Sequence, residues 1–521
     1  MPAGQRHAAR KNPMEQSAPV PNEGAQGARR FLITLAVMSA TVMQVLDTTI
    51  VNVALPHMEG QLAAAPDQIS WVLTSYLVAS GIFMPLTGYF TDTLGQKKYL
   101  LISILGFVVA SVLSGLSTSL VEIVLFRLLQ GMFGAALVPL SQSIMVHAFP
   151  PEERGRAMSI WGIGVMVGPI LGPTLGGYLT DVLSWRWTFF INVPVGLLSL
   201  LLTWRVLPET PRTARSMDWT GLALMALAVG GLQLLLDRGN LDDWFDSHTI
   251  QIAAIASAFG FLGFVYHSIV QGERTLFHLR IFRDRNFSTA SFLIAAFGLG
   301  LFGMLVLQPI MLESLYGYPA FTTGLVMAPR GLATMFSMFL AGALVNRLGA
   351  RMLIGAGIAI SALGTYFTTG YTLVVGRWDL IWPVAIQGLG LGLIFVPLST
   401  VAYATLRPGD TAEAAGLFSL LRTIGSSIGI SIATTVFTHQ AQIAWNQIGS
   451  HIQPFNQALA GYLRGLHLSP SSPVASALLG SELGRQAQML ALVDTFQLIT
   501  WSFIAMAPLI LFLGGRNKAR R

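Results

Sequence analysis

Apolar residues fall in blocks of about 20 separated by short polar breaks, the length a helix needs to cross about 30 Å of hydrocarbon. The first block runs from Phe31 to Leu55. Others lie near 69–90, 99–118, 121–146, 157–179, 188–207, 218–236, 249–268, 288–312, 322–344, 352–373, 380–403, 414–438 and 491–513. The first block is too long for a signal-peptide core and has no small-residue cleavage site, so it is expected to stay in the membrane. The pattern predicts an all-α polytopic membrane protein with 14 transmembrane helices. Residues 1–30 lack any apolar run and read as a disordered tail.

Composition agrees: the chain is 53% hydrophobic and only 11% charged, against about 25% charged in soluble domains. The net charge of +7 could suggest nucleic acid, and its location decides otherwise. Alternating the loops from a cytoplasmic N-terminus puts 23 Lys/Arg inside, among them Lys97, Lys98, Arg154, Arg156 and Arg347, and five outside: Arg186, Arg238, Arg377, Arg464 and Arg485. The basic charge is a topology device of the positive-inside kind, which predicts both termini in the cytoplasm and no nucleic-acid partner. With no cysteine, disulfides and thiolate metal sites are excluded. The nine histidines show no metal spacing, and no nucleophile motif or phosphate loop is present. The expectation is a non-enzyme without cofactors, powered by an ion gradient.

An internal repeat organises the spans. Gly88-Tyr-Phe-Thr-Asp92-Thr-Leu-Gly95-Gln-Lys97-Lys98 returns 254 residues later as Gly342-Ala-Leu-Val-Asn346-Arg347-Leu-Gly349-Ala-Arg351. Gln130-Gly131 returns as Gln387-Gly388, and Gly168-Pro169-Ile-Leu-Gly172 as Gly425-Ser426-Ser-Ile-Gly429, both 257 residues later. The first six spans take only 177 residues, Phe31 to Leu207, so the period leaves room for two inserted spans. The expected organisation is a tail (1–30), a six-helix bundle (31–207), two central helices with linkers (208–287), a second six-helix bundle (288–513) with a long outer loop (439–490), and a tail (514–521). Repeats of this kind belong to secondary transporters, whose substrate site lies between the halves near the midplane.

Gly88 to Lys98 resembles the loop motif of the major facilitator superfamily, although Thr93 and Gln96 stand where that family usually has Arg. Leu46-Asp47-Thr48-Thr49-Ile50-Val51-Asn52-Val53-Ala54-Leu55-Pro56 resembles the first-span motif of its fourteen-helix drug:proton antiporters. Gly168-Pro169-Ile-Leu-Gly172-Pro173-Thr-Leu-Gly176-Gly177 is similar to their antiporter motif, and Arg127-Leu-Leu-Gln130-Gly131 to their proton-linked fourth span. Trp185-Arg186-Trp187-Thr-Phe-Phe-Ile-Asn192-Val-Pro194, Leu421-Arg422-Thr-Ile-Gly425-Ser426 and the Pro454-Phe455-Asn456 loop make the chain look closer to EmrB than to QacA. The resemblance covers about Phe31 to Gly514. It implies proton-driven export of lipophilic small molecules across the bacterial inner membrane, with a periplasmic adaptor and an outer-membrane channel as partners.

The residues carry their own argument. An ionised Asp47 deep in the first span costs about 2.5–3.5 kcal/mol, so something must compensate it. Thr41, Gln44, Asp47, Thr48 and Asn52 fall within an arc of about 140°, a polar face suited to lining water or the bundle interior. Arg127 is the partner by depth: it lies about 9 Å below the outer surface and Asp47 about 15 Å, a difference an Arg spans. Arg127, Gln130, Gly131 and Gly134 form one helical stripe. Proton coupling through Asp47, Arg127 and Gln130 is the expectation, with a structural buried acid or a snorkelling Arg127 as alternatives.

Gly164, Gly168, Gly172 and Gly176 make a flat packing seam, bent by Pro169 and Pro173; its link to antiport comes from the resemblance. Gly88, Asp92, Gly95 and Lys97 sit in a tight turn suited to conformational gating or to topology alone. Arg422 and Asp494 join Gln44, Thr48 and Asn52 as candidate cavity-lining residues. Asp494 lies only three residues into the last span, where it could simply reach the interface, and Arg330 is left without a role. In the outer loop, Phe455, Leu459, Tyr462 and Leu463 have near-helical spacing. Two short helices around the Pro470–Pro473 hinge are expected there, as an adaptor surface or a lid. The overall reading is a proton antiporter for hydrophobic drugs. Alternatives are an exporter of one metabolite or fatty acid, or a non-transporting sensor on the same fold.

Overall fold

The computed structural model describes residues 23–213, 216–272, 275–453, 456–469 and 472–514. Most of the expected N-terminal tail, the tail from 515, Arg215, Arg274, Pro454-Phe455 and Pro470 lie outside these residues. Among the described residues there are 14 helices long and apolar enough to span a membrane, and no strand. They are α1 (Gly27–Leu62), α2 (Trp71–Leu94), α3 (Gln96–Leu116), α4 (Leu120–Ala148), α5 (Pro151–Val182), α6 (Trp187–Val206), α7 (Trp219–Arg238), α8 (His248–Gln271), α9 (Arg285–Leu315), α10 (Phe321–Leu348), α11 (Ala350–Thr368), α12 (Arg377–Ala402), α13 (Thr411–Gly449) and α14 (Pro473–Phe512). Helices satisfy every backbone donor within the segment, which hydrocarbon demands.

The packing repeats as the sequence does. In the first half α1 packs on α5 and α6, α2 on α4, and α3 on α4 and α6; in the second half α9 packs on α13 and α14, α10 on α12, and α11 on α12 and α14. α7 and α8 pack on each other, and α7 also touches α2 and α13. Gly95 and Gly349, the matching glycines of the α2–α3 and α10–α11 turns, both have φ of 83°. A side chain is strained in that backbone region, so the motif needs glycine at both turns.

The halves meet along α5 and α10, and α13 packs against α2 and the second part of α4. Two of these contacts lie at the end of the bundle that holds Gly95 and Gly349. A Cβ on Gly88 would come within 2.6 Å of Glu413, and one on Gly342 within 2.6 Å of Ser159. Asn346 Nδ2 donates to the Glu152 carbonyl at 2.6 Å.

Three boundaries differ from expectation. Helical backbone begins at Glu23, ahead of the apolar span α1 that starts at Gly27, where Phe31 was expected. α13 continues to Gly449 and α14 begins at Pro473, which shortens the expected outer loop. Among the described residues, one short helix, Gln457–Gly465, lies between them. The second expected short helix is the first part of α14, because no proline separates Val474 from the apolar run. Pro473 stands at its first turn, and the Ser472 hydroxyl accepts from Val474 N at 3.2 Å, a favourable start for a long helix.

Candidate functional site

Asp47 and Arg127 are 0% and 1% exposed, sealed inside the first half. Arg127 Nη1 donates to Asp47 Oδ2 at 2.7 Å. The other carboxylate oxygen accepts from Gln130 Nε2 at 2.8 Å and from Asn192 Nδ2 at 2.7 Å. Arg127 also donates to Gln130 Oε1 at 2.8 Å and, through Nε, to the Val72 carbonyl at 3.0 Å. Its guanidinium lies 4.2 Å from the Tyr76 ring centroid and 5.8 Å from that of Phe189. α1, α2, α4 and α6 thus converge on one charge pair, and the buried acid accepts three hydrogen bonds, with both of its oxygens engaged.

Helical register explains the convergence. Arg127 and Gln130 are three residues apart and share a face of α4. Gly131, next to Gln130, lets α4 approach α2 so closely that a Cβ there would strike the Tyr76 carbonyl. α4 breaks at Ala135-Ala136, ahead of Pro139, and the Val138 N–H donates to Gln44 Oε1 at 3.1 Å. Asn192 is held in turn by Ser111, which accepts from it at 2.9 Å and donates to the Phe189 carbonyl at 2.9 Å. Asn192 stood in the sequence only within a family motif, and Ser111 and Tyr76 carried no signal. What marks them is the docking of α2, α3 and α6, which one-helix periodicity cannot show.

The glycine seam of α5 faces the Asp47 helix. A Cβ on Gly168 would meet Val45, one on Gly172 would meet Thr49 and one on Gly176 would meet Ile50, while Gly164 packs on Met38. Thr49 Oγ1 donates to the Gly168 carbonyl at 3.0 Å. Pro169 is half-buried and Pro173 exposed. The seam therefore fixes the α1 segment that carries the acid.

Other candidates are not gathered here. Thr48 is half-buried and bonded to its own helix at Val45 O, 2.8 Å. Asn52 is exposed; five residues on from Asp47, it sits at the edge of the polar arc and rotates away from the acid. Asp494 is also exposed, and lies well inside α14 because that helix starts earlier than expected. In the gating turn, the Asp92 carbonyl accepts from Thr213 N at 2.8 Å and Gln96 N donates to Thr210 Oγ1 at 2.8 Å. These bonds tie the α6–α7 linker to the turn, beside half-buried Lys97.

Among the described residues the second half has no copy of the pair. Gly168 packs on Val45 and Gly425 on Ala295, so Phe297, 2% exposed, occupies the place of Asp47. Gly388 packs on Arg330 as Gly131 packs on Tyr76. Arg330 is 4% exposed and among the described residues has neutral acceptors alone, Gln308 Oε1 at 3.4 Å and Leu301 O at 3.3 Å. Arg422 is half-buried and makes no side-chain hydrogen bond or ion pair among the described residues. Its electrostatic neighbour is Tyr403, whose hydroxyl donates to Gln142 of α4 at 2.9 Å. Asp237, near the end of α7, accepts from Thr74 of α2 and was missed because it reads as a loop acid beside Arg238.

Residues 37–430 match the family model described as Major Facilitator Superfamily. The chain is 34% identical over 506 residues to the multidrug export protein EmrB of Escherichia coli strain K12, covering 96% of this chain and 97% of that one. It is 33% identical to the fatty acid resistance protein FarB of Neisseria gonorrhoeae, over 93% and 96% of the two chains. Among solved structures, the human organic anion transporter MFSD10 superposes with a TM-score of 0.58 at 14% identity, covering 91% of this chain and 99% of that one. The proton:xylose symporter XylE also gives 0.58 at 14%, over 91% and 95%. Repeat, packing and sequence agree: the chain belongs to the major facilitator superfamily and, within it, to the EmrB-like branch.

Proposed function

We propose that this protein is a proton-coupled antiporter that exports lipophilic small molecules across the bacterial inner membrane, with Asp47 as the group that takes and gives up the exchanged proton. The supporting observation is Asp47 itself: one acid sealed in the bundle and bound by one guanidinium and two neutral amides. Such a charge in a membrane is costly and marks an ion or proton path. Arg127, Gln130 and Asn192 bias its two protonation states. Motion of the halves about α5 and α10, with Gly88, Asp92, Gly95 and Lys97 at the gating end, opens the site alternately to each side. The excess of basic loops supports a cytoplasmic position for that end. Inverted vesicles containing the protein should accumulate a lipophilic dye when their lumen is acid, and stop when the pH gradient is collapsed. Accumulation that survives collapse would refute proton coupling.

Arg422 and Arg330, two guanidiniums in the second half without a carboxylate partner among the described residues, favour lipophiles carrying an acidic or neutral head over dications. The relatives named for multidrug export and fatty acid resistance fit that range. Arg422→Gln should lower export of a lipophilic acid by about tenfold, the worth of one charge-assisted hydrogen bond, and leave a neutral dye unchanged. Paired efflux assays in one strain check this; equal loss for both would make Arg422 a structural residue. A resistance screen against acids, neutrals and cations separates broad export from export of one metabolite or fatty acid, and from a sensor that transports nothing.

Beyond the membrane, the ends of α13 and α14 and the short helix Gln457–Gly465 enclose a hollow of about 520 Å³ that includes Trp445, Ile452, Leu459 and Leu483. Tyr462 and Leu466 are exposed close by in sequence. This hollow, with its apolar side chains, supports contact with a periplasmic adaptor that leads to an outer-membrane channel. Replacing residues 453–480 with a short Gly/Ser linker should abolish adaptor co-purification and cellular resistance while sparing transport in proteoliposomes. Undiminished co-purification would put the docking surface elsewhere, and lost liposome transport would make the segment a lid.

A further inference from the structure

At the end of the bundle that holds Gly95 and Gly349, a cleft of about 370 Å³ opens between the halves, inside the range of about 300–1,000 Å³ that small-molecule sites occupy. One wall comes from the first half: Arg30 of α1, His147 at the end of α4, Phe149, and Arg154 in the first turns of α5. The other comes from the second half: Tyr403 and Leu406 after α12, and Thr411 at the start of α13. None of the described residues lining the cleft is acidic.

The charge around it is out of balance. Arg30 lies over the Phe149 ring at 6.0 Å and pairs with Glu153 at 3.7 Å. Arg154 is half-buried, makes no hydrogen bond or ion pair among the described residues, and its Nε is shielded from solvent without a partner. A shielded guanidinium donor left unsatisfied is costly. The group that satisfies it best is a planar-fork acceptor such as a carboxylate or a phosphate.

The cleft lies at the level of the loops, where lipid headgroups sit, and Phe149, Leu406 and Val146 give it an apolar side suited to glycerol and the first acyl carbons. Basic pockets between helices at that depth suit anionic headgroups. We propose that this cleft binds a phosphate group, carried by an anionic phospholipid, with Arg154 as its main ligand and Arg30 as the second. Because the walls belong to different halves, the bound headgroup holds them together at this end and leaves when they part.

The test uses the full chain in detergent, titrated with phosphatidylglycerol or phosphatidylcholine and read by native mass spectrometry and thermal unfolding. Phosphatidylcholine carries the same phosphate beside its own cation. Phosphatidylglycerol should bind about tenfold tighter and raise the unfolding temperature more. Arg154→Gln should erase that preference, Arg154→Lys should keep part of it, and Arg156→Gln, exposed and outside the cleft, should keep all of it. Glu153→Gln, which frees Arg30, should strengthen binding, an effect that simple loss of packing would not produce. Inorganic phosphate distinguishes the sources: competition with the lipid means that the cleft accepts free phosphate too, and no competition means that it requires the lipid. Equal binding of the two lipids by the wild-type chain, or an undiminished preference in Arg154→Gln, would overturn the proposal.

Discussion

Asp47→Asn is expected to bind substrate as the wild type does and to lose export driven by a pH gradient in proteoliposomes, by at least about 100-fold, the low end of what a positioned proton-transfer group contributes. Asparagine has nearly the shape of aspartate and keeps an acceptor oxygen for the Gln130 and Asn192 amides, which stand at 2.8 and 2.7 Å in the wild type. What it removes is the exchangeable proton. Substrate-dependent thermal stabilisation measures binding, and dye export under an imposed gradient measures coupling. Gradient-driven export at the wild-type rate would remove Asp47 from the mechanism.

Arg127→Ala should have the largest effect on stability. It leaves a carboxylate that is 0% exposed without its cation, and breaking one side of a buried pair costs about 3–5 kcal/mol. It also empties the space between the Tyr76 and Phe189 rings. Combining Arg127→Ala with Asp47→Asn removes both charges, so the double variant should be more stable than Arg127→Ala alone, the opposite of additive behaviour. Thermal unfolding of the three variants in detergent decides it. Additive losses would show that the pair contributes nothing as a pair.

The pair was legible in the sequence because intramembrane charges are rare and each demands an explanation. Asp47, Arg127 and Gln130 followed from depth and an i, i+3 spacing on one helix. The repeat followed from collinear echoes, and the turns at Gly95 and Gly349 return with the same φ of 83°. Asn192 was not legible as an Asp47 partner, since an amide at the start of a span reads equally well as an interface residue until α6 docks on α1. Asn52 shows the converse: helical arithmetic placed it at the edge of the polar arc, and at that edge it is exposed. The ends of α13 and α14 were misjudged because apolar density marks where a helix enters the membrane, whereas capping and breakers decide where it stops. Arg154 was read only as a topology charge, because the facing wall of its cleft comes from the other half, more than 240 residues later in the chain.

The central claim, that Asp47 carries the exchanged proton, is tested most directly by substrate-induced proton release. Purified protein in weakly buffered detergent solution is mixed with a neutral lipophilic substrate while a pH indicator is followed. The wild type should release protons in proportion to the sites filled, and Asp47→Asn should bind the same substrate in silence. Equal release from both proteins would contradict the account and place the proton on another group.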